Sequence, residues 1–385
     1  MNIGNAWQLD PDLFVRPERT AYFDCARCAL PLKSVADELR EATGHWCEPS
    51  DETTEEVRSL FGALIGASPD DIALTPSTTR GIATICQLTR LAPGQRVVLM
   101  ANEHPSHVLG WLEACRAAGA EAVFVAKPAD GDWTSALVAS LSEETAVVCF
   151  APCHWRDGTF VNSVGIAARA REIGARVVID GTQAIGAMPF DVVEVAPDFV
   201  VASGYKWLLG PVGLGYLYAH PRHHSASPSD HGWNNRIPQG GTALWKAADL
   251  IYPEGYTRGA RRFDTAGITK SLLPRLAIPG LRQLLIWKPS RIHEQISRWN
   301  AALAGSLAPQ WICTPDPVHG HTHILGIDLG RRNGQALASE FGTLGIEVSL
   351  RGTTLRVSPH YWNTAADVSL LGGSLRDVLE RVSSV

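Results

Sequence analysis

The middle of the chain alternates short apolar runs with amphipathic stretches. The runs are rich in β-branched residues, and the segments between the first four of them, such as 107–118 and 164–173, have helical spacing. Uninterrupted apolar strands that alternate with helices are typical of a mostly parallel sheet that is covered on both faces. The six runs are 96–100, 122–125, 146–150, 176–179, 199–202 and 214–218.

The pattern changes after about residue 225. Segment 227–267 is rich in Gly, Trp, Arg and Pro, which predicts a long loop able to face a ligand. Beyond it, the spacing predicts helices and short strands of a smaller α+β domain. The predicted helices are 289–307 and 364–382, and the strand-like runs are 323–329, 346–350 and 354–358.

Composition narrows the class of protein. A chain of 385 residues predicts two to three domains, and its 45% hydrophobic and 19% charged content excludes a disordered chain. With 34 basic and 39 acidic side chains, the net charge of −5 argues against a dedicated nucleic-acid or membrane-surface protein. No apolar run approaches the roughly 20 residues that span a bilayer, and the N-terminal residues show no signal pattern. We therefore expect a cytoplasmic protein.

The eight cysteines are scattered along the chain, so reduced thiols are the expectation. Cys25 and Cys28 form a Cys-x-x-Cys pair, but no second pair stands at zinc-ligand spacing, so a metal or redox role is the less favoured alternative. His319, His321 and His323 alternate along one predicted strand, for which an edge strand is favoured over a metal site. We predict no metal site.

Two strand ends carry matching chemistry. Run 176–179 ends in Asp180, and run 199–202 leads through Ser203 to Lys206. Ligands of such sheets bind beyond the carboxyl ends of the strands. A lysine amine and a carboxylate there suit pyridoxal phosphate, since the amine bonds the aldehyde and the carboxylate holds a proton on the pyridine nitrogen. A nicotinamide cofactor is the weaker alternative, because no Gly-x-Gly-x-x-Gly follows the first strands.

The phosphate of that cofactor needs an anion site. Segment 76–81, with Thr78 and Thr79, directly precedes the helical pattern 82–88. Free backbone N–H groups at a helix start, with hydroxyl groups beside them, bind anions. Ser203 can add a further hydroxyl. Plain helix capping is the alternative interpretation of the Ser/Thr run.

With these motifs the sequence resembles the class V aminotransferase family, the fold-type I pyridoxal-phosphate enzymes that include cysteine desulfurases. The resemblance implies a large domain with a mostly parallel seven-stranded sheet and a smaller α+β domain. It implies a homodimer, and an N-terminal arm (1–22), a large domain (23–270) and a small domain (271–385). The segments that carry it are 22–26, 77–79, 103–106, 180–183, 203–211 and 356–364.

The resemblance also implies roles for single residues. Lys206 matches the Schiff-base lysine, Asp180 the partner of the pyridine nitrogen, and His104 the histidine that stacks on the pyridine ring. Gln183 matches the group that bonds the cofactor's phenolic oxygen. Arg356 matches the arginine that grips the substrate carboxylate as a bidentate fork, with a surface strand arginine as the alternative. The phosphate binders correspond to Thr78, Thr79 and Ser203.

Two departures bear on the reaction. Cysteine desulfurases carry a catalytic cysteine on a loop between an Arg-Gly segment and the carboxylate arginine, but here Arg351-Gly352 is followed almost at once by Arg356. Persulfide chemistry on the protein is therefore not expected. Tyr205 replaces the histidine that usually precedes the lysine, and we assign it to the substrate site.

Two further departures bear on binding. Trp155 stands where the family has an asparagine, which predicts an apolar wall and an N–H donor in the cofactor site. Gly267 stands where the family has the threonine that reaches the phosphate of the neighbouring subunit. Arg236, Arg261 or Arg262 is expected to compensate. Arg236, with Trp233 and Trp245 in the same segment, is assigned to substrate binding, and a loop that packs on itself is the alternative.

These departures resemble the branch of isopenicillin-N-epimerase-like proteins and carbon–sulfur lyases. We therefore expect an enzyme of amino-acid or secondary-metabolite metabolism that acts on an amino acid through an external aldimine, most simply by β-elimination from a cysteine S-conjugate. Transamination, epimerisation and decarboxylation-linked deamination use the same residues and stay open. A non-catalytic pyridoxal-phosphate-binding protein is the remaining alternative.

Overall fold

The computed structural model describes residues 11–18, 20–44, 51–236, 254–313 and 322–381. Its strands are short and, in the middle of the chain, separated by helices. In chain order they are β1 (Ala21–Tyr22), β2 (Ile72–Thr75), β3 (Arg96–Met100), β4 (Glu121–Val125), β5 (Thr145–Phe150), β6 (Arg176–Asp180), β7 (Phe199–Ser203), β8 (Gly215–Ala219), β9 (Leu325–Asp328), β10 (Ile346–Glu347), β11 (Ser349–Arg351) and β12 (Thr354–Val357).

Seven of these strands form the central sheet, in the order β2-β8-β7-β6-β5-β3-β4. The five strands from β7 to β4 are parallel to one another, and β8 alone runs against its neighbours on both sides. The mostly parallel seven-stranded sheet expected from the sequence is thus confirmed. Because β2 runs in the same direction as β3, β5, β6 and β7, the carboxyl ends of all five strands meet at one edge.

Helices flank this sheet and continue into the C-terminal part. They are α1 (Lys33–Gly44), α2 (Asp51–Ile65), α3 (Thr78–Leu88), α4 (Pro105–Ala118), α5 (Trp133–Ser140), α6 (Ser163–Glu172), α7 (Val192–Val195), α8 (Leu273–Trp287), α9 (Pro289–Ala304), α10 (Gly334–Thr343) and α11 (Ala365–Arg381). Several begin at a side chain that accepts a hydrogen bond from the first turn, among them Ser77 for α3 and Asn162 for α6.

The core lies on both faces of the central sheet. Val148 and Phe150 of β5 belong to the apolar cluster on one face, and Val147 and Cys149 belong to the cluster on the other; all four are fully buried. A strand that packs on both sides has no polar face, so its sequence is an unbroken apolar run rather than an alternating one. This explains why the sequence pattern located β3 to β8.

The C-terminal part carries a second, three-stranded antiparallel sheet in the order β11-β12-β9. In addition, β1 pairs with β10 in parallel, so the chain around residue 21 packs against residues near 346. Trp362 and Asn363 reinforce this contact by donating hydrogen bonds to the Tyr22 carbonyl. The domain boundaries at 22 and 270 stay a prediction.

Two properties of the described residues bear on function. No helix among them is long and apolar enough to cross a membrane. Within the same ranges, no group of three or more His, Cys, Asp or Glu side chains could hold a metal ion. The predicted metal alternative at His319 and His321 lies outside the described residues.

Candidate active site

A cavity opens where the carboxyl ends of β2, β3, β5, β6 and β7 meet. Each of these strands supplies residues just after its last position, as parallel sheets of this kind do. The lining residues are Ser77, Thr78 and Thr79 after β2; Glu103, His104 and Ser106 after β3; Ala151, Cys153 and Trp155 after β5; Asp180, Thr182 and Gln183 at the end of β6; and Ser203, Tyr205 and Lys206 at the end of β7.

Lys206 is 8% exposed and lies three residues beyond β7. Burial lowers the pKa of its amine to about 8; the nearby Asp180 opposes this shift, and Arg356 and Arg351 add to it. The turn that carries Lys206 is held by backbone hydrogen bonds, including one from Leu209 to the Lys206 carbonyl. The neutral form of an amine is the one that attacks an aldehyde, and a pKa near 8 leaves part of the Lys206 amine neutral at physiological pH.

Asp180 ends β6 and is 7% exposed. Its Oδ1 accepts a hydrogen bond of 2.9 Å from the backbone N–H of Thr182 and so caps the short 3-10 helix Gly181–Gln183. The carboxylate therefore serves both the cap and the cavity. Asp180 can therefore act as a helix cap and as a cavity group beside Lys206 at the same time.

Three hydroxyl groups meet at the start of α3. Thr78 Oγ1 lies 2.7 Å from Ser203 Oγ and 3.2 Å from Thr182 Oγ1, and the Ser203 N–H donates to Thr182 Oγ1. Thr79 is exposed to the cavity, and Ser77 caps the helix by accepting from the Arg80 N–H. Hydroxyl groups beside a helix N-terminus form an anion site.

The sequence predicts no role for Thr182. It lies 104 residues after Thr78 in the chain, and only the juxtaposition of two strand ends brings their side chains together. In the sequence, Thr182 stands out only as part of the Gly-Thr-Gln segment that follows Asp180. This segment does not reveal which of its side chains points toward α3.

Gln183 presents its amide group to the cavity wall. Its Nε2 donates to the Ala26 carbonyl at 3.0 Å, and its Oε1 accepts from the indole N–H of Trp207 at 2.7 Å. It is 4% exposed. Two segments thus hold the amide group: the segment that begins at β1 contributes the Ala26 carbonyl, and the segment that follows Lys206 contributes the Trp207 indole.

His104 and Trp155 form one side of the cavity. The His104 ring meets the Trp155 ring edge-on, with 5.3 Å between centroids. Burial and the nearby Lys206 charge lower the pKa of His104, so the ring is neutral. Its Nδ1 accepts from the Ser106 N–H at 3.3 Å, which places the ring proton on Nε2.

The indole of Trp155 provides the apolar wall that the sequence predicts, but its N–H donor points elsewhere. It donates to the Asn102 carbonyl at 2.9 Å. Asn102 has a left-handed backbone, with φ of 59°, and this turn aims its carbonyl at the indole. The predicted donor is therefore already occupied by the protein.

Glu103 also lines the cavity, although the sequence predicts no role for it. It is 7% exposed; Oε1 accepts from the His104 N–H at 2.7 Å, and the buried Oε2 has no hydrogen-bond partner among the described residues. Its charge also acts on His154. Burial would lower the pKa of that imidazole, but the hydrogen bond between His154 Nδ1 and the accepting Asp157 carboxylate, together with the Glu103 charge, raises it above its ordinary value.

Arg356 lies behind the cavity rather than in its lining. It is 1% exposed, and burial lowers the pKa of its guanidinium to about 10. Nε donates to Ser349 Oγ at 3.2 Å, Nη1 to the Trp155 carbonyl at 2.9 Å and Nη2 to Asp24 Oδ1 at 3.1 Å. Carboxylate binding by Arg356 stays a prediction.

The arginines proposed to replace the missing threonine have other partners. Arg261 binds Glu55 and Asp70, and Arg236 donates to the Glu254 carbonyl and lies over the ring of Tyr256 at 4.0 Å. Neither lines the described cavity. Arg262 reaches the Ala226 carbonyl at 3.3 Å.

Gly267 itself has a left-handed backbone, with φ of 82°, and open space where a Cβ would stand. Among the described residues, no other group takes up the space that a threonine side chain would fill at that point. Of the aromatic residues predicted in this segment, Trp233 is 57% exposed, and Trp245 lies outside the described residues.

The residues present fit pyridoxal phosphate. A buried amine of lowered pKa, a buried carboxylate beside it, a neutral imidazole and a hydroxyl cluster at a helix N-terminus share one cavity. The amine would bond the aldehyde, and the carboxylate would hold the proton on the pyridine nitrogen. The imidazole would lie on the ring face, and the hydroxyl cluster would bind the phosphate. Fold and site together define a fold-type I pyridoxal-phosphate enzyme.

The comparisons with known proteins agree. The family described as "Aminotransferase class-V" matches residues 34–237, and the chain belongs to this family. The chain is 29% identical to isopenicillin N epimerase of Streptomyces clavuligerus over 58% of this chain and 56% of that protein. It is 27% identical to a probable cysteine desulfurase of Methanothermobacter thermautotrophicus over 84% of this chain and 83% of that protein.

Solved structures show the same fold. The cysteine desulfurase CsdA of Escherichia coli superposes with a TM-score of 0.82 at 19% identity, covering 98% of this chain and all of that one. The cystine C-S lyase C-DES, in complex with its product cysteine persulfide, gives 0.80 at 19% identity, covering 94% and 98%. The family resemblance, the fold class and the dependence on pyridoxal phosphate that the sequence predicted are confirmed.

Proposed function

We propose that the protein is a carbon–sulfur lyase that removes a sulfur leaving group from Cβ of a cysteine S-conjugate. The balanced reaction consumes the conjugate and one water and releases a thiol, pyruvate and ammonia. The observation that carries this proposal is the hairpin of β11 and β12, which has no room for a catalytic cysteine. Its strands pair in the register Arg351 to Thr354, so only Gly352 and Thr353 form the turn.

The three cysteines found at or near the cavity in the described part of the chain do not supply a substitute nucleophile. Cys153 lines the cavity, and Cys25 and Cys28 lie close enough to Lys206 to feel its charge. Burial raises the pKa of all three thiols, so each stays protonated and poorly nucleophilic at neutral pH. Sulfur is therefore expected to leave with the product rather than to remain on the protein.

When bound, pyridoxal phosphate takes the substrate's amino group and accepts the charge that develops at Cα. Lys206 is the base, because its lowered pKa leaves part of its amine neutral to take the Cα proton. Asp180 stays close to Lys206 and carries the compensating negative charge. The hydroxyl cluster of Thr78, Thr182 and Ser203 holds the phosphate.

His104 completes the binding surface in this proposal. Its neutral ring lies across the cavity wall, with Trp155 at its edge, and presents a flat polarizable face. Tyr205 flanks Lys206, whose Nζ lies 5.7 Å from the phenol ring centroid. Arg356 supplies positive charge behind the substrate carboxylate, whereas Arg236 does not line the described cavity and its role in substrate binding stays a prediction.

The test is turnover of the purified enzyme, loaded with pyridoxal phosphate, under anaerobic conditions. A cysteine S-conjugate is expected to give pyruvate, ammonia and the free thiol in equal amounts. Lys206→Ala is expected to lose this activity, and Lys33→Ala is the control, because Lys33 is an exposed lysine at the start of α1 that does not line the cavity. Formation of a 2-oxo acid with aminated cofactor would indicate transamination, and inversion at Cα would indicate epimerisation; either result without pyruvate refutes the lyase.

Epimerisation is the second candidate function, favoured by the 29% identity to isopenicillin N epimerase. It uses the same proton-moving lysine and differs in returning the proton to the opposite face of Cα. The predicted homodimer is proposed alongside the function, since the family builds its sites across a dimer interface. Light scattering of the loaded enzyme checks it, and a mass of one 41.6 kDa chain would contradict it.

A further inference from the structure

Trp207 directly follows Lys206, yet its side chain points away from the cavity into the protein. It is fully buried, and its only polar atom, the indole nitrogen, donates a hydrogen bond of 2.7 Å to Gln183 Oε1. An indole N–H is a donor and never an acceptor. The oxygen of the Gln183 amide must therefore face Trp207, and the amide cannot turn over without losing this bond.

The orientation of Gln183 fixes what the cavity receives. Because the amide oxygen accepts from Trp207, only the two N–H groups of the amide nitrogen are left to bind other partners. One of them donates to the Ala26 carbonyl at 3.0 Å. The second N–H is left as the polar group that this side chain can offer to the cavity. A flipped amide would offer a carbonyl oxygen instead and would repel an acceptor at the same place.

The backbone of Gln183 is held from the same side. His323 Nε2 lies 2.5 Å from the Gln183 carbonyl oxygen, so the ring must carry its proton on Nε2. The rings of His323 and Trp207 meet edge-on, with 4.6 Å between centroids and an angle of 88°. Both rings are fully buried, so each fixes the other.

We propose that Trp207 and His323 form a clamp that holds Gln183 with only its N–H group toward the cavity, which makes that position specific for an acceptor oxygen such as the phenolic oxygen of pyridoxal phosphate. Trp207 is then a positioning residue: it acts on the cofactor through Gln183. The proposal rests on pyridoxal phosphate being the cofactor and not on which reaction follows.

The test compares two buried tryptophans. Trp207→Phe removes the indole donor, and Trp111→Phe is the matched control, since Trp111 is also fully buried but its N–H has no partner among the described residues. Loss of one neutral hydrogen bond is expected to weaken pyridoxal phosphate binding about three- to ten-fold in Trp207→Phe. The control is expected to bind as the wild type does.

A second readout separates positioning from packing. A donor to the phenolic oxygen stabilises its ionised form, so losing that donor raises the pH midpoint of the visible absorption band of the bound cofactor, by roughly 0.4 to 1. In a Gln183→Leu background, Trp207→Phe is expected to change neither the binding constant nor the midpoint further. An effect of full size in that background would show that Trp207 acts through packing and would overturn the clamp.

The proposal can still be tested if the Trp207→Phe variant fails to fold. If Trp207→Phe does not fold, Trp207 is replaced by benzothienylalanine, which keeps the ring shape and exchanges only the N–H for sulfur; the same two shifts are expected. Normal binding and an unchanged midpoint in either variant would overturn the clamp alone. Failure of the wild type to bind pyridoxal phosphate would overturn the cofactor assignment and the clamp with it.

Discussion

Lys206 is expected to capture the cofactor with a pH midpoint near 8. Burial lowers the pKa of its amine to about 8 from the ordinary value of 10.5. At pH 7 about one side chain in ten is then neutral, against about one in three thousand for an ordinary lysine, an advantage of about 300-fold in the reactive form. The rate at which cofactor-free protein takes up pyridoxal phosphate should rise about tenfold per pH unit below this midpoint and level off above it.

The perturbation that tests this reasoning is Asp180→Asn. Because the Asp180 charge raises the pKa of Lys206 against the effect of burial, its removal should move the midpoint to lower pH. Glu194→Gln, which removes one exposed charge far from the cavity, is the control. The assay is stopped-flow absorbance across pH 6 to 10.5, and the ionisations of the free cofactor are the same for every variant.

Two results would refute the reasoning. A rate that still climbs tenfold per unit above pH 9 would mean that the amine keeps its ordinary pKa and that the cavity does not desolvate it. A midpoint that moves upward in Asp180→Asn would mean that Asp180 does not stabilise the ammonium form. The first result would remove Lys206 as the neutral base of the proposed elimination, and the second would remove Asp180 as the group that opposes the effect of burial.

Three further variants test the framework of the site by thermal and urea unfolding of the cofactor-free protein. Lys206→Met should raise the free energy of unfolding by up to about 3 kcal/mol below pH 8, a gain that disappears between pH 8 and 10.5 as the wild-type amine becomes neutral in both states; a pH-independent gain would contradict it. Arg58→Met should cost about 3–5 kcal/mol because it leaves the buried Asp264 carboxylate without its bidentate partner. Asp264→Asn added to it removes the charge and keeps an oxygen that accepts from the Leu74 N–H, so it should recover part of the loss; a larger loss in the double variant would contradict the pairing. Gly158→Ala should cost at least about 2 kcal/mol, since φ is 79° and a Cβ would lie 2.1 Å from the Ile324 carbonyl oxygen, and unchanged unfolding would show that this contact yields.

The central sheet could be predicted because its strands are apolar on both faces. Strands β3 and β6 begin where the apolar runs begin, at Arg96 and Arg176. The sequence analysis did not locate β2, whose Ile72–Thr75 run is only four residues long and follows the charged pair Asp70 and Asp71. Short edge strands carry too few positions to show a pattern, and their pairing is decided by the strand beside them.

The cavity could be predicted only in its principal groups. Lys206 and Asp180 were found because each follows an apolar run, and parallel strand ends meet at one edge. Glu103 and Trp207 were missed because their roles depend on partners chosen by the fold. The Trp207 indole meets a side chain 24 residues away, and an indole after a lysine carries no local sign of the amide that it will bind.

The hairpin of β11 and β12 has a consequence beyond the absence of a cysteine. Side chains of one strand alternate between faces, so Ser349 and Arg351 share a face, and Ser349 pairs directly with Arg356 and bonds its Nε. Both arginines therefore stand on one face of a short, tightly turned hairpin, and both lower the pKa of Lys206. A longer loop would release this register, so the two-residue turn itself places positive charge behind the reacting amine.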